Sequence, residues 1–70
     1  MTRPITGGVG YVPVSAELRE ALRRRIAGSG MHRASHELSA NGEMLHRIVD
    51  VGTARRSVAE RLAVLLGVEP

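Results

Sequence analysis

The sequence RASHELSANGEMLHRI, residues 33–48, has the pattern of two short helices separated by a tight polar turn. The residues expected to face inward are Ala34, Ser35 and Leu38 in the first helix, and Leu45 and Ile48 in the second. They recur at the spacing of one face of a helix. The turn, residues 39–41, is small or polar, and Asn41 is a good N-cap for the second helix. The stretch therefore predicts a pair of helices, the second of which has a polar outer face.

This pattern is typical of the helix-turn-helix, whose second helix is shaped to enter the major groove of DNA. The motif needs a small inward residue in its first helix, and Ser35 meets that need. Its turn needs a residue that tolerates an unusual backbone conformation, commonly Gly. Ser39 stands at that position, which is a departure, and Ala40 is a weak match for the apolar residue that follows. Sequence-specific DNA binding is the leading hypothesis.

Helical patterns continue on both sides of this pair. The predicted helices are 16–27, 31–38, 42–50 and 54–66. Ser15 is the expected N-cap of the first helix and Thr53 that of the fourth, with Ser57 as a competing cap. Gly67 suits a left-handed C-cap. The apolar stripe of the fourth helix is expected to be Val58, Leu62, Leu65 and Leu66. The predicted fold class is all-α, a compact domain of four helices, possibly five.

The first fourteen residues differ in composition from the helical domain predicted over 15–70. They contain three glycines and two prolines, which resist helix formation. One interpretation is a partly ordered tail. Another is a short edge strand from Val9 to Val14 that pairs with its twin in a dimer, since Pro13 is tolerated only at an edge. A third is an arm that carries Arg3 to a minor groove.

Composition limits what a chain of 70 residues can be. Cys, Phe and Trp are absent and there is one Tyr, so the core must be aliphatic and small, which favours dimerisation. The net charge is +3, and all ten basic residues are Arg, whose guanidinium pairs with phosphate and with guanine edges. No stretch approaches the 18 or so apolar residues of a membrane span. We expect a soluble, cytoplasmic, nucleoid-associated protein with no membrane partner.

On these residues, the chain resembles the Cro/repressor-type helix-turn-helix family of phage and bacterial transcription regulators, over roughly residues 16–68. The ending RLAVLLGV, residues 61–68, is similar to the last core helix of that family. The resemblance implies a bundle of four or five helices that binds double-stranded operator DNA, usually as a homodimer. It also implies a regulator, most simply a repressor, that recognises an inverted repeat.

The resemblance also implies which residues would contact DNA. Arg47 would bind guanine O6 and N7 together, and Glu43 would accept from cytosine N4. The expected base-reading residues are Asn41, Glu43, Met44, His46 and Arg47. The expected phosphate-binding residues are His32, Arg33, Arg55 and Arg56. Several have an ordinary alternative, such as core packing for Met44, helix-dipole stabilisation for Glu43 and a solvated surface for Arg55 and Arg56. The run at residues 23–25 fans around its helix and is interpreted as solvated surface.

Other chemistry is less well supported by the sequence. His32 and His36 are four residues apart, but Arg33 stands where a zincin requires Glu, so no metal is expected. There is no set of nucleophile, base and orienting residue, and we expect neither an enzyme nor a cofactor. The main alternative is a helix-turn-helix that binds a protein, as an antitoxin, anti-repressor or adaptor. The apolar residues of 9–14 would then supply an edge for the partner.

Overall fold

Four helices and one small antiparallel sheet form the part of the chain that the structure, a computed structural model, describes: residues 10–70. The elements in chain order are β1 (Tyr11–Pro13), α1 (Ala16–Ser29), α2 (Met31–Leu38), α3 (Gly42–Asp50), β2 (Thr53–Arg55) and α4 (Arg56–Leu66). The predicted all-α, four-helix fold with a short edge strand is confirmed. The roles considered for Val9 and Arg3 lie outside the described residues. Within 10–70, no helix has both the length and the apolar character to cross a membrane.

The core is aliphatic, and α1 packs against all three other helices. Its largest fully buried side chains are Leu18, Leu22, Leu38, Leu45, Ile48 and Leu62. Full burial of such a side chain contributes about 1.5–3 kcal/mol, which makes this cluster the main source of stability. No polar or charged side chain is buried anywhere in residues 10–70. The charged groups therefore all remain at the surface, where they are available for binding.

The predicted helix starts at Ser15 and Asn41 are confirmed by their side-chain hydrogen bonds. The Ser15 hydroxyl accepts from the Leu18 amide at 3.0 Å, and the Asn41 side chain accepts from the Met44 amide at 2.9 Å. Helix α1 is two residues longer than the predicted 16–27. The Ser29 hydroxyl donates to the Arg25 carbonyl one turn back, and the helix ends at Gly30, where φ is 91°.

Helices α2 and α4 end in the same type of turn. In each, one residue adopts the left-handed conformation, and the next amide donates to the carbonyl five residues earlier, as in a Schellman motif. In α4 the left-handed residue is Gly67, with φ of 72°, as predicted. In α2 it is Ser39, with φ of 52°, and the Ala40 amide donates to the Ser35 carbonyl at 3.1 Å. The turn before α3 therefore has the left-handed residue that the motif requires, although it is not glycine.

The expected start of the fourth helix is wrong. Residues 53–55 form β2, and α4 begins at Arg56, so Thr53 is not its N-cap; neither is Ser57, and no side chain caps this helix. The cause is a long-range pairing: β1 lies antiparallel to β2, and the Arg56 amide donates to the Gly10 carbonyl at 3.1 Å. The edge strand expected within residues 9–14 therefore pairs within its own chain.

The expected stripe of α4 is correct except for Leu65, which is half exposed. Val58 and Leu62 are buried as predicted, but Ala59 and Ala63 complete the inward face. Because alanine side chains are small, α4 can pack closely against its neighbours on the face that carries Ala59 and Ala63. Leu65 then lies at the margin of this face beside Val64, which is 81% exposed.

Candidate nucleic-acid interface

Helix α3 has one buried and one exposed face. Leu45 and Ile48 are fully buried, whereas Glu43, His46 and Arg47 are exposed. The nine residues of α3 span about 13 Å, and its polar flank is not covered by any other element within residues 10–70.

Arginines from two other helices hold α3 at both ends. The Arg61 guanidinium of α4 donates to the Ser39 carbonyl at 3.1 Å, in the turn that precedes α3. At the other end, Arg19 of α1 donates from Nε to the Val49 carbonyl at 2.8 Å and from an Nη to the Asp50 carbonyl at 3.2 Å. A cation at a helix C-terminus also interacts favourably with the helix dipole. The orientation of α3 is thus set by groups that lie outside its exposed face.

A cleft of about 330 Å³ separates α3 from the β1–β2 sheet. Its lining residues are Tyr11, Asn41, Glu43, Met44, Arg47, Ala54, Arg55 and Val58. Four of the five expected base-reading residues meet here, together with one expected phosphate-binding residue, Arg55. The structure thus brings residues from two distant parts of the chain to one surface.

The Tyr11 ring contacts both arginines of this cleft. The Cζ atom of Arg47 is 4.7 Å from the centroid of the Tyr11 ring, and that of Arg55 is 5.3 Å from it. Both distances are within the range of cation–π interactions. Among residues 10–70, neither arginine forms an ion pair with a carboxylate. The cleft therefore carries two positive charges without a bonded counter-charge.

Asn41, Met44 and His46, also expected to read bases, each have contacts within the protein. The side-chain oxygen of Asn41 caps α3, which leaves its amide nitrogen for a ligand. Met44 is half-buried and packs against the core, in agreement with its packing alternative. His46 lies outside the cleft, and its Nδ1 is 2.8 Å from a carboxylate oxygen of Asp50, one turn later on the same helix.

Three expected phosphate-binding residues do not line the cleft. His32 and Arg33 are exposed in the first turn of α2, where Gly30 provides no side-chain cap for the amides. Arg56 is exposed at the start of α4. These groups are accessible, and no hydrogen bond of their side chains lies within the described part of the chain.

The arginine run of α1 differs because each of its arginines is paired with a nearby carboxylate. Arg23 and Arg24 both pair with Glu20, and Arg25 pairs with Glu37 of α2 at 3.3 Å. The hydrogen bond from Arg23 lowers the pKa of the Glu20 carboxyl, and Arg24 adds to the effect. The interpretation of this run as solvated surface agrees with its exposure and pairing.

Sequence reasoning missed Tyr11 as a member of the site, and it missed the two arginines that hold α3. Tyr11 is the one aromatic residue of the chain, which was a usable indication. No local pattern shows that it lies beside α3, since that follows from the pairing of β1 with β2. Arg19 and Arg61 have the spacing of ordinary exposed helix positions, so their role depends on the tertiary fold.

Within residues 10–70, no three His, Asp or Glu side chains are grouped so as to hold a metal ion. Comparison with known proteins finds no matching family model, no matching curated protein and no matching solved structure.

Proposed function

We propose that this domain binds double-stranded DNA in a sequence-specific way and regulates transcription, with α3 in the major groove. The observation that carries the proposal is the pair Arg47 and Arg55. Both guanidiniums lie beside the exposed face of α3 and, within residues 10–70, have no carboxylate partner. Phosphate oxygens and guanine edges are the groups that such cations bind best.

The proposed division of roles follows from position. Arg47, on the exposed face of α3, reads a base pair, whereas Arg55, on β2, contacts the backbone at the rim of the groove. Arg33 at the start of α2 is the proposed contact on the other side, next to amides that have no side-chain cap. Contacts of the first kind specify sequence and those of the second kind position the protein.

We further propose that the domain acts as a homodimer on an inverted repeat and represses by occupying it. Adjacent exposed side chains on α4, Val64 and Leu65, support self-association, because such apolar surface is stabilised by burial. The half-sites would then lie about one helical turn of DNA apart. The same apolar pair is what favours the alternative function, a module that binds another protein.

Fluorescence anisotropy with DNA from the region that flanks its own gene tests the proposal. A scrambled duplex of the same length is the control, and both are measured at 50 and 200 mM salt. A dimer with about 6–10 phosphate contacts should bind the first duplex more tightly, and should lose about 10³–10⁵-fold in affinity at the higher salt. Equal binding to both duplexes would contradict sequence-specific recognition. A partner bound with little response to salt would favour the protein-binding alternative.

A variant separates the two roles. Arg55→Ala should weaken binding by a similar factor on every duplex and reduce the slope of log affinity against log salt by about one unit for each bound copy. A loss confined to one sequence would mean that Arg55 reads a base pair instead.

A further inference from the structure

The β1–β2 sheet places Tyr11 beside the exposed face of α3. Tyr11 pairs in register with Arg55, and β2 begins three residues after α3 ends. Its ring therefore lies next to Arg47 even though the two residues are far apart in the sequence. The ring has an exposed fraction of 36%, so it remains at the surface of the cleft.

Arg47 has a competing partner on its own helix. Glu43 lies four residues earlier, which is the order and spacing that favour an ion pair along a helix. The two side chains line the same cleft, yet no ion pair joins them. The guanidinium lies over the Tyr11 ring instead.

Stacking has a chemical consequence for the guanidinium. A guanidinium that lies parallel to an aromatic ring contacts it through its flat face, whereas its five N–H donors point outward in the plane. A stacked Arg47 therefore keeps its donors for a ligand. An Arg47 paired with Glu43 would use up to two of them, and the carboxylate would balance its positive charge.

We propose that Tyr11 is a positioning residue of the DNA interface: its ring holds Arg47 away from Glu43 and orients the guanidinium toward a guanine edge. This inference rests on the proposed function. Tyr11 itself contacts no base in this arrangement and acts through Arg47. Arg55 also lies over the ring, with its Cζ atom 5.3 Å from the centroid.

The test compares Tyr11→Leu with Tyr11→Phe on the gene-flanking duplex and on versions of it with single base-pair changes. An exposed cation–π contact corresponds to about 2- to 5-fold in affinity, so Tyr11→Leu should weaken binding by that factor for each bound copy. It should also reduce discrimination at one base pair. Tyr11→Phe retains the ring and should match the unmodified protein in both respects.

A double-mutant cycle tests the competition with Glu43. Glu43→Gln should improve binding more in the Tyr11→Leu background than in the unmodified protein, because only there is Arg47 released to the carboxylate. Equal effects of Glu43→Gln in both backgrounds would overturn the proposed competition between Tyr11 and Glu43 for Arg47.

NMR spectroscopy of the free protein tests the contact itself. The Arg47 δ protons should show an upfield ring-current shift, which Tyr11→Phe keeps and Tyr11→Leu abolishes.

The outcomes separate this inference from the proposed function. If the unmodified protein binds no duplex preferentially, the proposed function fails and this role fails with it. If it binds but Tyr11→Leu retains affinity and discrimination, only the role of Tyr11 is overturned. Equal losses in the Phe and Leu variants would also overturn it, since the ring would not be the acting group. Should Tyr11→Leu fail to fold, unshifted Arg47 δ protons in the unmodified protein would overturn the proposed stack.

Discussion

The arginine run of α1 and the arginines beside α3 carry similar charge but differ in what surrounds it. Each arginine of the run, residues 23–25, has a carboxylate partner in Glu20 or Glu37. Arg47 and Arg55 have an aromatic ring instead. The densest basic segment of the sequence is therefore not the most available one. The positions of the acidic residues, rather than the number of arginines, indicate where an anionic partner would bind.

The largest expected effect is on the free energy of unfolding. It tests whether α1 and α3 contribute equally to the core, so that they differ only in their surface charges. Leu22 of α1 and Leu45 of α3 are both fully buried. Replacing either by Ala should lower the free energy of unfolding by about 2–5 kcal/mol, because it removes core contacts and leaves a cavity. Val51→Ala, at an exposed apolar position outside the proposed self-association surface, is the control and should cost under about 1 kcal/mol. Urea denaturation followed by circular dichroism measures all three, and a small cost at Leu45 alone would mean that α3 is poorly packed.

The next effect concerns binding and compares the two kinds of arginine directly. Arg47→Ala should weaken binding to the gene-flanking duplex by about 1–3 kcal/mol and relax discrimination at one base pair. Arg24→Ala removes an equal charge from the paired run and should change affinity by less than about 0.5 kcal/mol at moderate salt. Anisotropy titrations provide both values. Equal losses would show that net charge alone drives binding, and the comparison between the regions would then fail.

A change in the turn before α3 separates its backbone geometry from its charges. The left-handed conformation costs a non-glycine residue roughly 1–2 kcal/mol, partly offset by the greater entropy that glycine loses on folding. Ser39→Gly should thus stabilise the domain by up to about 1 kcal/mol, without strengthening DNA binding by the folded protein.

The control is the reverse change at the equivalent turn of α4. Gly67→Ser should destabilise the domain by a similar amount through backbone strain, since no atom lies within 4 Å of the position that its Cβ would take. Denaturant midpoints at an unchanged m value measure both variants. Stability changes of the same sign would contradict the assignment of strain to Ser39.

The smallest effect concerns the paired region and its response to pH. The pKa of Glu20 is lowered in the folded protein by the hydrogen bond from Arg23, so ionised Glu20 stabilises the fold above the carboxyl pKa of the unfolded chain. That contribution is lost as the pH falls through the lower, folded-state pKa. The melting temperature of Glu20→Gln should lie slightly below that of the unmodified protein at pH 7, and the difference should shrink as the pH falls through the lowered pKa of Glu20.

Glu60→Gln is the control for this measurement, because Glu60 forms no ion pair within residues 10–70. It should change the melting temperature at pH 7 by less than Glu20→Gln does. A difference for Glu20→Gln that persists unchanged into acid would mean that its charge is not the cause.

The helices were predictable where local chemistry decides them. Asn41 caps α3 with its own side chain, and Gly67 closes α4 in the left-handed conformation, both as the sequence indicates. Each depends on residues within one or two turns. The bounds of α2 and α3 agree with the predicted ranges for the same reason.

What the sequence did not reveal depends on residues brought together from afar. Thr53 has the local features of an N-cap, yet its backbone pairs with Pro13 from the other end of the domain. The contact between Tyr11 and Arg47 has the same origin. Leu65 was expected inside because it is large and correctly spaced, but the alanines of α4 allow closer packing on a neighbouring face. Helical periodicity does not distinguish these alternatives.

Arg19 donates hydrogen bonds to the carbonyls of Val49 and Asp50 at the end of α3, and this affects how mutations in this protein would be interpreted. Replacing Arg19 removes two hydrogen bonds from the end of the helix, and would reduce affinity for the proposed DNA site even if the side chain does not contact it. An alanine scan would then wrongly assign Arg19 of α1 to the DNA-contacting surface. Chemical modification of Arg19 with and without DNA would distinguish the two cases. If Arg19 only supports α3, its reactivity should not change when DNA is added, whereas DNA would protect an arginine that contacts it.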